Sequence, residues 1–273
     1  MNQDKRVIKL IGALNVRELG GLQVQNGRKI KAGKLIRSGR LSNLMEEDIR
    51  ILHSKWNVTT IVDLRNDQEI AEHPDMEIEG ADFRKISIIQ GEMAGISRED
   101  FGMDIIDWAI MRAKSLKEDG GSEKFLTKMY RQMAEENGCQ EKMKEFFESL
   151  MKHQEGSFLW HCTSGKDRTG VTGALLLYAL GADMEIIKED YLYTNVQNFE
   201  YRERLLEAMR KRGAKEDVVE QMRVLESVSW SYIENFFEKI RKQYGSIEQF
   251  LEVRIGLTGE KKNMLLELYT ESE

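Results

Sequence analysis

The apolar positions of this chain follow two regimes. In the first third they come in short runs, and beyond residue 120 they recur every three or four positions. Leu22-Gln23-Val24 and Arg28-Lys29-Ile30 flank Asn26-Gly27, a pair that accepts the left-handed backbone of a tight turn, so a hairpin is expected there. Lys34 to Arg37 reads as a further strand. Val58-Thr59-Thr60-Ile61-Val62 is a β-branched run and predicts a buried strand. Phe83 to Ile89 predicts another. Ser42 or Asn43 is placed to cap a helix running through Leu52.

The later pattern is helical. Phe125, Leu126, Met129, Tyr130 and Met133 share one face, which stops at Asn137-Gly138. Met143, Phe146, Phe147, Leu150 and Met151 form the next face. Ser157 to Trp160 is strand-like, and Val171 to Leu180 is helix-like up to Gly181. Trp230, Ile233, Phe236, Phe237, Ile240 and Tyr244 line another helix, and Ser246 with Gln249 has the spacing of a capping box for the one after it. Residues 98–118 and 200–227 are charged and amphipathic. They read as peripheral helices on the core, with a lid or membrane-surface element as the sharper reading. The fold class predicted is α/β.

Composition narrows the setting. A net charge of −6, with no basic arm, argues against nucleic acid as a partner. Two cysteines, Cys139 and Cys162, do not make a disulfide framework. The stretch from Met1 to Lys9 has no apolar signal core, and no window is long and apolar enough for a bilayer span. His53, His73 and His153 show no metal-ligand spacing, so neither metal nor cofactor is expected.

The chemistry concentrates in His161-Cys162-Thr163-Ser164-Gly165-Lys166-Asp167-Arg168-Thr169-Gly170, between the strand-like and helix-like stretches. A nucleophilic thiolate, a nest of loop N–H groups, a guanidinium and a helix N-terminus would converge there. Lys166, Arg168 and the helix supply the positive potential that favours a thiolate. Arg168 offers a planar fork to two phosphate oxygens. Thr163 to Thr169 would bind phosphate, Cys162 would form a covalent intermediate, and the Thr169 hydroxyl could donate to the sulfur. Gly165-Lys166 before a helix also suggests a nucleotide-binding loop, but Trp160 stands where that motif needs glycine and Asp167 where it needs Ser or Thr.

This run resembles the tyrosine-phosphatase-like superfamily, and more narrowly the bacterial and fungal tyrosine/serine phosphatases with an HCxxGKDRTG loop. Asn15 to Gly21, Arg37-Ser38-Gly39-Arg40-Leu41, Val62 to Arg65 with Glu69 and Pro74-Asp75, Asp190 to Asn195, and Tyr244 to Ile247 are similar to other segments of that family. Val16 and Glu18 depart mildly from its pattern. The resemblance implies a tyrosine-phosphatase-like fold with a central mixed sheet flanked by helices. One domain would span 1–273, with helical insertions near 91–122 and 200–228, which match nothing in the family. It implies a metal-free phosphomonoesterase acting on phosphotyrosine, or also on phosphoserine/threonine or phosphoinositides, through phosphocysteine. A catalytic thiol fits a reducing, cytoplasmic setting.

The leaving oxygen needs a proton. Asp167 is the first candidate acid and Asp63, at the end of a predicted strand, the second; Asp75 is weaker. Each has a structural alternative: Asp167 as partner of Arg17, Arg37 or Arg65, and Asp63 as an ion pair holding its strand end. His161 is expected to hydrogen-bond loop backbone. The competing readings are a non-catalytic phosphate-binding module on the same loop, and arsenate or sulfur transfer, for which Cys139 is the sole candidate second thiol.

Overall fold

The computed structural model describes residues 5–89 and 104–272. Its strands, in chain order, are β1 (Arg17–Glu18), β2 (Gln23–Val24), β3 (Arg28–Ile30), β4 (Leu35–Ser38), β5 (Val58–Asp63), β6 (Asp82–Lys85), β7 (Ser157–His161) and β8 (Thr270–Ser272). The helices are α1 (Glu46–Arg50), α2 (Asp67–Glu72), α3 (Ile105–Glu118), α4 (Ser122–Glu135), α5 (Asn137–Lys152), α6 (Arg168–Ala179), α7 (Met184–Gln197), α8 (Phe199–Lys211), α9 (Glu216–Leu225), α10 (Trp230–Tyr244), α11 (Ile247–Val253) and α12 (Gly259–Tyr269).

The strand that delivers Cys162 is the central one. The main sheet runs β1-β4-β7-β5-β6, antiparallel at β1 and parallel elsewhere. Ser38 and Asp63 both pair with His161, so the three inner strands end level and the loop after β7 leaves between them. Loops at the carboxyl ends of parallel strands are where α/β sheets hold ligands.

Every residue of β7 is buried, and successive side chains serve opposite faces. Phe158 and Trp160 join Val62, Leu64 and Leu35 in a large core with α4, α5, α6 and α10. Leu159 joins Ile36, Val58, Ile61 and Leu52 on the other face. A third cluster lies apart, where Ala109 and Ala113 of α3 meet Leu206 and Met209 of α8 and Val219 and Met222 of α9. The two unmatched segments thus fold against each other, as a mixed α/β arrangement with added helices.

Several elements differ from expectation. The hairpin forms, with Asn26 at φ 62° and Gly27 at φ 64°, but β3 also pairs with β8 from the far end of the chain. Neither Ser42 nor Asn43 caps α1: Ser42 donates to the His73 carbonyl, and Asp48 reaches back to accept from the backbone N–H of Met45, Ile11 and Gly12. One turn of π-helix, Ile51–Lys55, continues α1. β6 stops at Lys85, and the Ile86 N–H makes the last bond to β5 by donating to the Asp63 carbonyl. The expected helix at 98–118 begins at Ile105, capped by Asp104; Phe101 and the rest of 90–103 lie outside the described residues. Ser246 does accept from the Gln249 N–H.

Candidate active site

In the loop from Cys162 to Asp167 the carbonyls of Cys162 to Gly165 are occupied, and among the described residues its N–H groups are free. Asn15 Nδ2 and Arg37 Nη2 donate to the Gly165 carbonyl at 2.8 and 3.0 Å. The Ser164 carbonyl accepts from Asn15 and Asn198, and the Thr163 carbonyl from the Arg40 N–H. His161 Nδ1 lies 3.3 Å from the Cys162 carbonyl. Among the described residues no acceptor takes the backbone N–H groups of Thr163 to Arg168. Turning carbonyls outward leaves the donors as an anion-binding nest at the start of α6. Gly165 makes the turn at φ 66°, where a Cβ would sit 2.5 Å from the Ser38 carbonyl oxygen.

The motifs near residues 15, 37 and 190 explain how the loop is held. Arg17 and Arg37, both buried, converge on Asp190: Arg17 Nε donates to Oδ1 at 2.9 Å and Arg37 Nη1 to Oδ2 at 2.6 Å. Burial pulls Arg17 down to about 10, with Arg37 adding to the effect and Asp190 opposing it. Burial would raise the Asp190 pKa, but the two guanidinium groups hold it well below the carboxylate range. Arg37 carries this network to the loop through Gly165.

A second cluster sits at the end of β5. Arg65 donates from Nε and Nη2 to both oxygens of Asp63, and from Nη2 to Asp75 Oδ2 at 2.7 Å. Asp75 also accepts from the Leu41 N–H, and its Oδ2 lies 3.1 Å from His161 Nε2. Asp63, Asp75 and His161 offer ligand-type atoms within 4.8 Å of one another, but the Arg65 guanidinium already bridges the two carboxylates. Arg17, Arg37 and Arg65 therefore all pair with aspartates other than Asp167.

Asp167 instead faces a cavity of about 450 Å³ that Thr163, Ser164, Lys166 and Arg168 also line. Its Oδ1 accepts from Tyr130 Oη at 3.0 Å and its Oδ2 from Lys166 Nζ at 2.6 Å. Tyr130 shares a 2.6 Å hydrogen bond with Tyr191, and both rings are buried. Asp63 is absent from that wall. A larger cavity of about 680 Å³, between α3 and the α8–α9 turn, touches none of the loop residues.

Arg168 is gripped by Glu69 of α2. Nη1 donates to Oε2 at 2.5 Å and Nη2 to Oε1 at 2.7 Å, while Thr163 Oγ1 donates to Oε1 at 2.5 Å. Burial works to raise the Glu69 pKa, but Arg168 and Thr163 outweigh it and bring it down to about 2. The carboxylate takes the far end of the fork, which leaves Nε and one edge for another anion.

Cys162 and Cys139 are both buried free thiols. Burial, reinforced by Glu136, pushes Cys139 up to about 12. Cys139 lies in the first turn of α5, in the large core. Thr169 Oγ1 is buried without a hydrogen-bond partner, so the expected donation to sulfur is not formed here.

Sequence reasoning did not assign Glu69, Tyr130, Asp190 or Glu226 to the site. Glu69 and Asp190 stood inside the quoted family segments, which was the available signal. Tyr130 read as core, which it also is. Glu226 lines the cavity from the turn after α9; burial raises its pKa, with Lys166 opposing and Asp167 adding to the rise.

A protein of Cupriavidus necator assigned by name to the tyrosine-protein phosphatases is 28% identical over 241 residues, 87% of this chain and 80% of that protein. The triple specificity protein phosphatase PtpB of Mycobacterium tuberculosis is 28% identical over 221 residues, covering 76% of this chain and 75% of its own. A tyrosine-protein phosphatase of Nostoc commune is 29% identical over 170 residues, 59% of this chain and 48% of the relative. The tyrosine phosphatase family model matches residues 8–271, a span that takes in the loop, its buried arginine supports and α2, and the chain therefore belongs to the tyrosine phosphatase family.

Proposed function

We propose that this chain hydrolyses phosphomonoesters, phosphotyrosine first among them, through a phosphocysteine on Cys162. The observation that carries this reading is the loop itself, with its carbonyls tied back and its N–H groups unclaimed beside Arg168. A phosphate dianion in the nest would take the free N–H groups and the open edge of Arg168. The Cys162 sulfur then attacks phosphorus as the ester P–O bond breaks. The departing oxygen takes a proton from Asp167, and water afterwards cleaves the P–S bond to release phosphate and the thiolate.

One fact favours Asp167 over Asp63 as the acid: Asp167 lines the cavity beside the loop residues, whereas Asp63 does not. Asp63, Asp75 and Arg65 then act as a brace that fixes the end of β5 and presents His161 to the loop. The thiol nucleophile suits a reducing compartment. Among the described residues no helix is long and apolar enough to cross a membrane.

The test is turnover of p-nitrophenyl phosphate in chelator, with Cys162→Ser alongside. Turnover should vanish in the variant while vanadate still binds, because a serine hydroxyl is not ionised near neutral pH and the nest remains. Activity within tenfold of wild type would sink the covalent route. A rapid quench that traps on wild type a phosphate stable in alkali but released by mild acid or iodine, as a P–S bond is, would separate the enzyme from a phosphate-binding module. A panel of phosphotyrosine and phosphoserine peptides and phosphoinositides would then rank substrates.

A further inference from the structure

Arg112 of α3 lines the same cavity as the loop and carries no ion pair among the described residues. Its guanidinium sits 4.8 Å over the Phe125 ring. Stacking uses the face of the guanidinium and leaves its five N–H groups free in the plane. Burial pulls its pKa down, with Asp119 opposing, and among the described residues this half-buried cation at the cavity has no paired carboxylate. Buried charges are normally paired, and four buried arginines of this site, Arg17, Arg37, Arg65 and Arg168, have carboxylate partners.

Helix α4 sets the spacing. Phe125 supports Arg112, and Tyr130, five residues on, donates to Asp167. At 1.5 Å of rise per residue the two anchor points lie about 7–8 Å apart along the helix. The wall between them is Leu126 and Met129, which offer no hydrogen bonds. An apolar ring suits that wall better than a polyhydroxylated one.

We propose that Arg112 is a second anion-binding subsite of this cavity, and that the preferred substrate is a phosphotyrosine peptide with an Asp or Glu close to the phosphorylated residue. This rests on the phosphatase reading above and names its substrate class. The loop takes the phosphate, the aryl ring lies along Leu126 and Met129, and the peptide carboxylate reaches the in-plane N–H pair of Arg112. A neighbouring residue is within reach, since each extends the chain by about 3.3–3.6 Å.

The experiment measures kcat/KM for a phosphotyrosine peptide with acidic flanks and for its neutral counterpart, in wild type and in Arg112→Gln and Arg112→Glu. p-Nitrophenyl phosphate, which has no second anion, reports the loop alone. Wild type should favour the acidic peptide at least fivefold, chiefly through KM, and added salt should shrink that ratio. Arg112→Gln should bring the ratio within twofold of unity, and Arg112→Glu should invert it. A wild-type ratio near one, or a ratio unchanged in Arg112→Gln, overturns the subsite. If the Arg112 variants lose activity only on phosphoinositides in vesicles, the peptide assignment is overturned in favour of a lipid headgroup. Failure of wild type to turn over p-nitrophenyl phosphate refutes the phosphatase reading instead.

Discussion

Glu69→Gln tests how the phosphate-binding arginine is held. In wild type the Glu69 carboxylate accepts both terminal nitrogens of Arg168 and the Thr163 hydroxyl. Its side chain is 15% exposed, so solvent screens the pair little. Lowering a carboxyl from 4.5 to about 2 is equivalent to a preference of about 3 kcal/mol for the charged form inside the fold. An amide keeps one acceptor and turns N–H groups towards a cation, so the variant should lose about 2 kcal/mol at pH 7, somewhat less than that ceiling. The sign with pH follows from a folded pKa below the unfolded one. The stabilisation is complete above about 4.5 and disappears as pH falls towards 2, with about 2 kcal/mol of it gone by pH 3. Urea unfolding of both proteins at pH 7 and pH 3 measures this, and their difference isolates Glu69 from other carboxylates such as Asp75 and Asp190. The gap should be about 2 kcal/mol at pH 7 and close to zero at pH 3. kcat/KM at pH 7 should fall at least tenfold, as Arg168 is freed to leave the loop. Equal stability at pH 7, or a gap that widens in acid, would refute the reasoning.

Three further outcomes follow from the same geometry. Asp190→Asn strips the counter-charge from buried Arg17 and Arg37 and should cost about 3–5 kcal/mol in a urea melt, a loss under 1 kcal/mol arguing against the network. Asp167→Asn should slow an alkyl phosphate far more than p-nitrophenyl phosphate, since protonation matters most for a basic leaving oxygen, whereas Asp63→Asn should slow both alike; the reverse pattern would exchange their roles. Peroxide inactivation should be reversed by thiol, prevented by phosphate and unchanged in Cys139→Ser, because a thiol pushed up to about 12 has almost no thiolate at neutral pH; resistance in that variant would implicate Cys139.

The local pattern was enough to place the central chemistry. A β-branched run, a strand before Cys162 and a helix after Arg168 set the nucleophile, the loop and the guanidinium in one place, because residues so close in sequence have few ways to be far apart. The same holds for the Asn26-Gly27 turn and for the amphipathic faces of α4, α5 and α10, where the side-chain period alone fixes what is buried. Long-range pairing was not legible. Nothing local to Arg17, Arg37 or Asp190 says that they meet under Gly165, or that Glu69 rather than another carboxylate grips Arg168; those contacts exist because β4 and β5 flank β7 and end level with it. Asp63 and Asp167 have similar credentials in the sequence; Asp63 pairs locally with Arg65 two residues on, and only the tertiary structure puts Asp167 and not Asp63 on the cavity wall. The charged amphipathic segments likewise gave no sign of each other. Their small and aliphatic residues meet because α3, α8 and α9 each have an apolar face that a lone helix cannot bury, and that packing brings Arg112 to the cavity.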